Sequence, residues 1–132
     1  MRSTLLAAFG LMLAACTSNY QQNMDPNILP TGYRQEVLDT LSSTLIDPTN
    51  VHDAFISDPV MATVSREPRY TVCVRYNARN EARQYAGSTD RIGIFYGGHL
   101  NQLIEPTNDQ CAKAAYRPFP ELEKLCLAKK CE

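Results

Sequence analysis

A short apolar stretch at the start of the chain constrains what the rest can fold into. Residues 5–13 are rich in Leu and Ala and follow the single positive charge of Arg2. A bilayer-spanning helix needs about 20 apolar residues, so this stretch is too short for one and is typical of a secretory signal peptide. We expect residues 1–15 to be removed, which leaves 117 of the 132 residues, enough for one small domain.

The residues that end this stretch indicate lipid attachment. Leu13, Ala14, Ala15 and Cys16 resemble the lipobox of bacterial lipoproteins. In that family the Cys thiol takes a diacylglyceryl group, cleavage makes this Cys the first residue, and its amine is usually acylated. The alternative is an ordinary signal peptide with a chance Cys. Thr17 stands where enteric inner-membrane lipoproteins carry Asp, so the resemblance implies an outer-membrane anchor with the body in the periplasm.

The residues after the lipobox are predicted to divide into a tether and a body. Residues 16–30 are polar and contain Pro26 and Pro30, which is typical of a structureless spacer. Residues 31–132 are expected to form a single globular domain. No later segment approaches 18 consecutive apolar residues, so the whole body is expected to lie outside the cytoplasm.

The body begins with a helical pattern. Apolar side chains recur at helical spacing between Thr31, a candidate N-cap, and Ile46. Pro48 then ends the pattern, and a turn is expected over residues 48–50. A capping-box pattern, Thr107 with Gln110, predicts a second short helix that continues to Ala115. A final helical turn is expected over Glu121–Ala128, and the side chains that it should place inward are Leu122 and Leu125.

Strand patterns fill the middle of the chain. Apolar residues alternate with polar ones over Tyr70–Asn77, with Cys73 on the face opposite the apolar side chains. Short strands are expected at Ala54–Ser57 and Val60–Val64, separated by Pro59. A further hairpin is predicted, with strands Arg91–Tyr96 and His99–Ile104, a turn at Gly97 and Gly98, and two cross-strand pairs, Phe95 with Leu100 and Ile92 with Leu103.

These elements together predict an α+β fold. One amphipathic helix would pack on an antiparallel meander of three to four strands, and disulfides would staple the C-terminal segment.

Four cysteines remain once Cys16 is assigned to lipid, namely Cys73, Cys111, Cys126 and Cys131. An even number in an oxidising compartment indicates two disulfides, and four cysteines allow three pairings. The sequence does not choose among them. We favour Cys73 with Cys111, which would pin the terminal segment to the central strand, and Cys126 with Cys131, which would close a local loop. The spacing of these cysteines fits neither a zinc site nor a Cys-x-x-Cys redox centre, so no metal or cofactor is expected.

The charges give little support for polyanion binding or for catalysis. The 13 Lys and Arg nearly balance the 14 Asp and Glu, which does not favour nucleic acid as a partner. His99 and Cys73 are the nearest approach to a nucleophile and base, and nothing in the sequence orients them. We therefore expect a protein without enzymatic activity.

A basic stretch is the one candidate binding face. Six Arg lie between Arg66 and Ile104, and the positions that we select are Arg75, Arg79, Tyr85 and Arg91. Such a face can hold an anionic glycan or an acidic protein patch. The alternative is a solvated strand face, in which the Arg stems cover apolar surface.

Most of the body carries a second resemblance. Tyr70–Asn80, Arg91–Ile104 and Pro118–Cys126 are similar to segments of small alphaproteobacterial envelope lipoproteins of unknown function. The resemblance implies no activity. The sequence therefore predicts a lipid-anchored, non-enzymatic protein that contacts another envelope component. The alternative is a small binding or inhibitor domain that captures an anionic glycan or an envelope hydrolase.

Overall fold

Six antiparallel strands dominate the computed structural model, which describes residues 24–107 and 109–125. In chain order the elements are α1 (Tyr33–Thr44), β1 (Asp47–Ser57), β2 (Val60–Val64), β3 (Glu67–Arg79), β4 (Thr89–Tyr96), β5 (His99–Ile104), β6 (Tyr116–Pro118) and α2 (Pro120–Glu123). The sheet has the order β5-β4-β3-β1-β6, and β2 also pairs with β3. No helix within the described residues is long and apolar enough to cross a membrane.

The predicted α+β fold, one helix packed on three to four strands, is wrong because the sheet is larger than the sequence indicated. The turn expected near Pro48 is instead the start of the 11-residue strand β1. Asn50 and Asp53 take positive φ angles of 55° and 52°, and the pairing of β1 with β3 shifts register twice along this stretch. These irregularities let β1 follow β3 through residues whose sequence predicts a turn. Strand β6 had no recognisable pattern at all.

Helix α1 is shorter than predicted. Gly32 is the N-cap in place of Thr31, and no side chain caps the helix. The N–H groups of Gln35 and Glu36 bond to the Gly32 carbonyl. Val37 and Leu41 are buried, so the predicted apolar stripe does face the core.

Strand β3 is buried on both faces, although the sequence predicted one buried face. Val72 and Val74 join the larger core with residues of α1 and α2. Cys73 lies on the opposite face, as predicted, in a smaller cluster with Ile92 and Cys111. The 13-residue β3 is therefore the centre of the fold, with packed material above and below it.

The β4–β5 hairpin confirms most of its prediction. Gly97 and Gly98 form the turn with φ angles of 58° and 83°, and Phe95 pairs with Leu100. The predicted pair of Ile92 with Leu103 is wrong, because Ile92 pairs with Ile104. A register shift between Ile94 and Phe95 adds one residue on β5 and displaces every pair beyond it.

The C-terminal segment keeps the local bonds that were predicted but not the helix between Thr107 and Ala115. The Thr107 N–H donates to Gln110 Oε1, as a capping box requires, yet the described residues that follow form turns. Leu122 is fully buried, as predicted, whereas α2 ends at Glu123. The final residues of the predicted helical turn lie outside the described residues.

Residues 24–30, which the sequence assigned to the tether, contact the β4–β5 turn and are largely exposed. The Gly97 N–H donates to the Pro26 carbonyl at 2.9 Å, and Pro30 is fully buried. A Cβ on Gly97 would lie 2.6 Å from Met24 Sδ, so the segment sits closely against the β4–β5 turn. The signal peptide and Cys16 lie outside the described residues.

Candidate functional site

The four residues of the predicted basic face do not share one face of the sheet. Residues paired directly across an antiparallel ladder project to the same side. Arg91 pairs with Val74, on the side of α1, whereas Arg75 pairs with Asp90 on the side of Cys73. Arg75 and Arg91 therefore point to opposite faces and do not act on one ligand.

Arg75 is held in a three-residue cluster. Its Nε and Nη2 atoms donate to the two carboxylate oxygens of Asp90 at 2.7 and 2.9 Å. The guanidinium also lies over the ring of Tyr116, 4.6 Å from its centroid. This fork geometry and the stacking fix the Arg75 side chain and neutralise its charge.

The cluster shifts the protonation of its members. The hydrogen bonds from Arg75 hold the pKa of Asp90 below its usual value. Burial, followed by the negative charge of Asp90, raises the pKa of Tyr116 to about 12. Both shifts favour the ionised Asp90 and the neutral Tyr116, which is a structural arrangement rather than a poised acid or base.

Arg79 and Tyr85 lie together at one end of the sheet. Arg79 pairs with Asp47, and hydrogen bonds from Thr49, followed by those from Arg79, lower the pKa of Asp47. The Tyr85 ring stacks on His52 with centroids 4.3 Å apart. Arg79 faces an open cleft of about 390 Å³, whose other lining residues are Ile46, Asp47, Pro48, Thr49, Asn50, Asn80, Glu81 and Arg83.

His52 was missed as a neighbour of Tyr85 by sequence reasoning. The Tyr85 hydroxyl donates to the Asn50 carbonyl at 2.6 Å and lies 3.1 Å from His52 Nε2. The two residues are 33 positions apart in the chain, and the course of β1 is irregular, so no sequence pattern indicates this contact.

Arg91 faces a separate cleft between α1 and β5. Its guanidinium lies 4.0 Å from the Glu105 carboxylate, a loose and solvated pair. The cleft has a volume of about 410 Å³, and Tyr76 and Leu103 also line it. Of the four predicted residues, only Arg79 and Tyr85 lie close together. Arg75 and Arg91 are each separated from the other three.

A third cleft lies beside a disulfide on the Cys73 face of the sheet. Cys73 and Cys111 are bonded, with Cα atoms 5.8 Å apart, which confirms that pairing. We call the adjoining space, of about 360 Å³, the disulfide cleft; its lining residues are Ser57, Asp58, Val60, Thr71, Cys73, Asp109, Gln110, Lys113, Ala114 and Ala115. Cys126 and Cys131 lie outside the described residues, so their pairing stays a prediction.

The disulfide cleft combines apolar and charged lining residues. Ser57 Oγ accepts the Cys73 N–H at 2.9 Å, which ties β1 to the central strand. Val60 and Ala114 contribute apolar surface, and the exposed Asp109 and Lys113 contribute charge at the edge of the cleft. This combination suits an apolar side chain of a protein partner. The sequence did not predict the cleft, because one of its walls is the segment after Thr107, which was predicted to be a helix and forms turns.

The cleft adjoins the open side of β2. Among the described residues this strand pairs with β3 only, and Val60 and Met61 are 56% and 48% exposed. An open strand edge offers unpaired N–H and C=O groups to another extended chain.

Comparison with known proteins does not extend these observations. No protein-family model, curated protein or solved structure matches the chain. No group of three or more potential metal ligands occurs among residues 24–107 and 109–125. The function is therefore inferred from the residues of this chain alone.

Proposed function

We propose that this protein is a lipoprotein of the bacterial cell envelope, anchored in the outer membrane through Cys16, with its body in the periplasm. It acts by contact with another envelope protein and not by catalysis. The observation that carries the proposal is the Cys73–Cys111 disulfide in a chain that also has a lipobox. Disulfides persist in oxidising compartments such as the periplasm, so the bond and the leader agree on export.

The start of the packed body supports a close anchor. Met24 lies beside the β4–β5 turn, at the same end of the sheet as the β2–β3 turn, because β4 runs antiparallel to β3. Eight residue steps separate Cys16 from Met24 and span about 28 Å at most. A lipid on Cys16 would therefore keep this end of the body within that distance of the membrane surface.

The surface chemistry supports a protein partner over an anionic glycan. Arg75 and Arg79 are each paired with a carboxylate, and Arg75 and Arg91 lie on opposite faces. An Arg- and Tyr-rich sheet face for polyanion capture therefore has no support in the geometry. The disulfide cleft, lined by apolar Val60 and Ala114 beside charged Asp109 and Lys113, suits a side chain on a protein surface better.

Lipid labelling tests the anchor. The full chain is expressed in a bacterial host with a clickable palmitate analogue and compared with Cys16→Ser. We expect the wild-type chain to be labelled and to fractionate with outer membranes, and Cys16→Ser to accumulate as an unlabelled precursor. Thr17→Asp is the matched control, which should keep the label and move to the inner membrane of an enteric host. Continued labelling of Cys16→Ser would contradict the proposal.

Site-specific photo-crosslinking tests the docking surface. A photoreactive amino acid is placed at Lys113, on the rim of the disulfide cleft, and for comparison at Glu81, which lines the cleft near Asp47. We expect a discrete envelope-protein adduct from position 113 and none from position 81. Identical adduct patterns from the two positions, or no adduct from position 113, would count against docking at the disulfide cleft.

A further inference from the structure

Strand β2 is an unusual edge strand. Three strands have an unpaired side within the described residues, and they are β2, β5 and β6. β5 contains a bulge, and β6 has only three residues and ends in Pro118. β2 pairs regularly with β3 over five residues and has no charged side chain. Proteins usually protect edges with charges, prolines or bulges, and β2 lacks all three along its length.

The register of β2 with β3 shows which backbone groups face outward. Thr63 is paired with Pro68, which has no N–H, so these two residues do not exchange two hydrogen bonds. Thr63 is therefore at a non-hydrogen-bonded position of the β2–β3 ladder, and so is Met61, two residues away. The N–H and C=O groups of Met61 and Thr63 point away from β3.

We propose that β2 binds antiparallel to β2 of a second copy of this chain, with a two-fold axis through Ala62. Met61 of one copy then lies opposite Thr63 of the other, and each such pair exchanges two backbone hydrogen bonds. The register uses all five residues of both strands. The nearest alternative registers bring Pro59, which has no N–H, or Ser65, a turn residue with a φ of 49°, into a bonded position.

The charges at the ends of β2 are complementary in this register. Antiparallel pairing brings Asp58, just before β2 of one copy, to the same end of the interface as Arg66, in the turn after β2 of the other, once at each end. The Asp58 side chain is 52% exposed; one carboxylate oxygen lies 3.1 Å from Arg117 Nη2, and the other accepts the Tyr33 hydroxyl at 3.0 Å. Arg66 is exposed and makes no ion pair with another described residue. The uncharged strand between two opposite charges is self-complementary, as a two-fold interface requires.

The proposed β2–β2 interface is small, so the dimer should be detected by a method that traps weak complexes. Stable protein interfaces bury about 1,200 Å² or more, and a single five-residue strand offers less. We expect a weak, reversible dimer that is best trapped covalently. Pairing through β2 does not require the lipid anchor, although Asp58 and Val60 also line the disulfide cleft.

Cysteine crosslinking tests the two-fold axis. Ala62 faces Ala62 of the second copy at a non-hydrogen-bonded position, where Cα atoms lie about 4.5 Å apart, within the range that disulfides bridge. The full chain with Ala62→Cys is oxidised mildly in isolated membranes, quenched with N-ethylmaleimide and run on a non-reducing gel. Gln102→Cys, on the open side of β5, is the matched control. We expect a reducible dimer from Ala62→Cys at roughly tenfold the yield of Gln102→Cys.

Charge exchange in the Ala62→Cys background tests the register. Asp58→Arg or Arg66→Asp alone places like charges at the same end of the interface and should lower the dimer yield severalfold, whereas the double variant should restore it. A circular dichroism spectrum that matches that of Ala62→Cys shows that each variant is folded. Equal yields from Ala62→Cys and Gln102→Cys overturn the proposal, and so does a double variant that crosslinks no better than the single ones.

Discussion

Cys73 on the central strand is covalently joined to Cys111 in the loop after β5, 38 residues along the chain. The bond lies in a small cluster with Ile92, on the face of the sheet opposite the main core. It therefore replaces, on that face, much of the hydrophobic packing that α1 provides on the other. A domain of this size buries a small hydrophobic core, so the disulfide contributes a large share of its stability.

Removing this disulfide should lower the free energy of unfolding by about 4 kcal/mol, the chain-entropy estimate for a loop of this length. The variant is Cys73→Ala with Cys111→Ala, which avoids a buried free thiol. Urea unfolding monitored by circular dichroism provides the measurement, and reduced wild-type protein, in which every disulfide is open, should lose at least as much. A loss below about 1 kcal/mol would mean that the bond is incidental to the fold.

Glu36 joins α1 to the β4–β5 hairpin, and its loss should be costly. Its carboxylate accepts the Leu100 N–H and lies 3.1 Å from His99 Nδ1. Glu36→Ala leaves a part-buried N–H without its acceptor, so we expect unfolding to require about 1–3 kcal/mol less. Glu105→Ala is the control, because the Glu105 side chain is 86% exposed and forms only a loose ion pair with Arg91, at 4.0 Å. Equal effects of the two variants in urea titrations would contradict this role of Glu36.

Acid should destabilise the protein partly through Asp90. Its pKa is lowered by the hydrogen bonds from Arg75, so the folded state binds its proton less readily than the unfolded state. The stability from this shift is present above the unfolded-state pKa of about 3.9 and is lost as the pH falls through the lower folded-state value. We expect Asp90→Asn to be less stable at pH 7 and to lose less stability between pH 4 and pH 2.

The control for this titration is Glu81→Gln, an exposed substitution in the loop before β4. Its stability should fall with acid as steeply as that of the wild-type protein. A slope for Asp90→Asn that matches the wild type would show that the Arg75–Asp90 pair contributes nothing to acid sensitivity.

Gly97→Ala should loosen the segment before α1. The added Cβ would meet Met24 Sδ at 2.6 Å and would sit on a residue with a φ of 58°. The left-handed conformation alone costs about 1–2 kcal/mol for a non-glycine residue. We expect faster limited proteolysis between residues 24 and 30 than in the wild-type chain. Gly87→Ala is the control, since its φ is 102° but nothing lies within 4 Å of an added Cβ.

Sequence reasoning succeeded where a local pattern determines the structure. Glycine at Gly97 and Gly98 defines a tight turn, and alternation over Tyr70–Asn77 defines a strand and places Cys73 on its second face. The pairing of Phe95 with Leu100 follows directly from that turn. Each of these features depends on residues that are close together in the chain.

The failures arise where distant strands meet. The faces of Arg75 and Arg91 depend on the β3–β4 register, which is set across a loop of nine residues. The early part of β1 contains Pro48 and Asn50, which locally favour a turn, and only pairing with β3 keeps it extended. One wall of the disulfide cleft is the loop of residues 109–115, whose sequence has no periodic pattern that indicates its course. Tertiary contacts thus outweighed local preference at the positions that form the clefts.

Mass spectrometry of the protein purified from membranes tests the central claim most directly. We predict a mature chain that begins at Cys16, carries a diacylglyceryl group on that thiol, and has no free thiol at Cys73, Cys111, Cys126 or Cys131 under denaturing alkylation. A chain that retains residues 1–15, or one that begins elsewhere without lipid, would contradict the account.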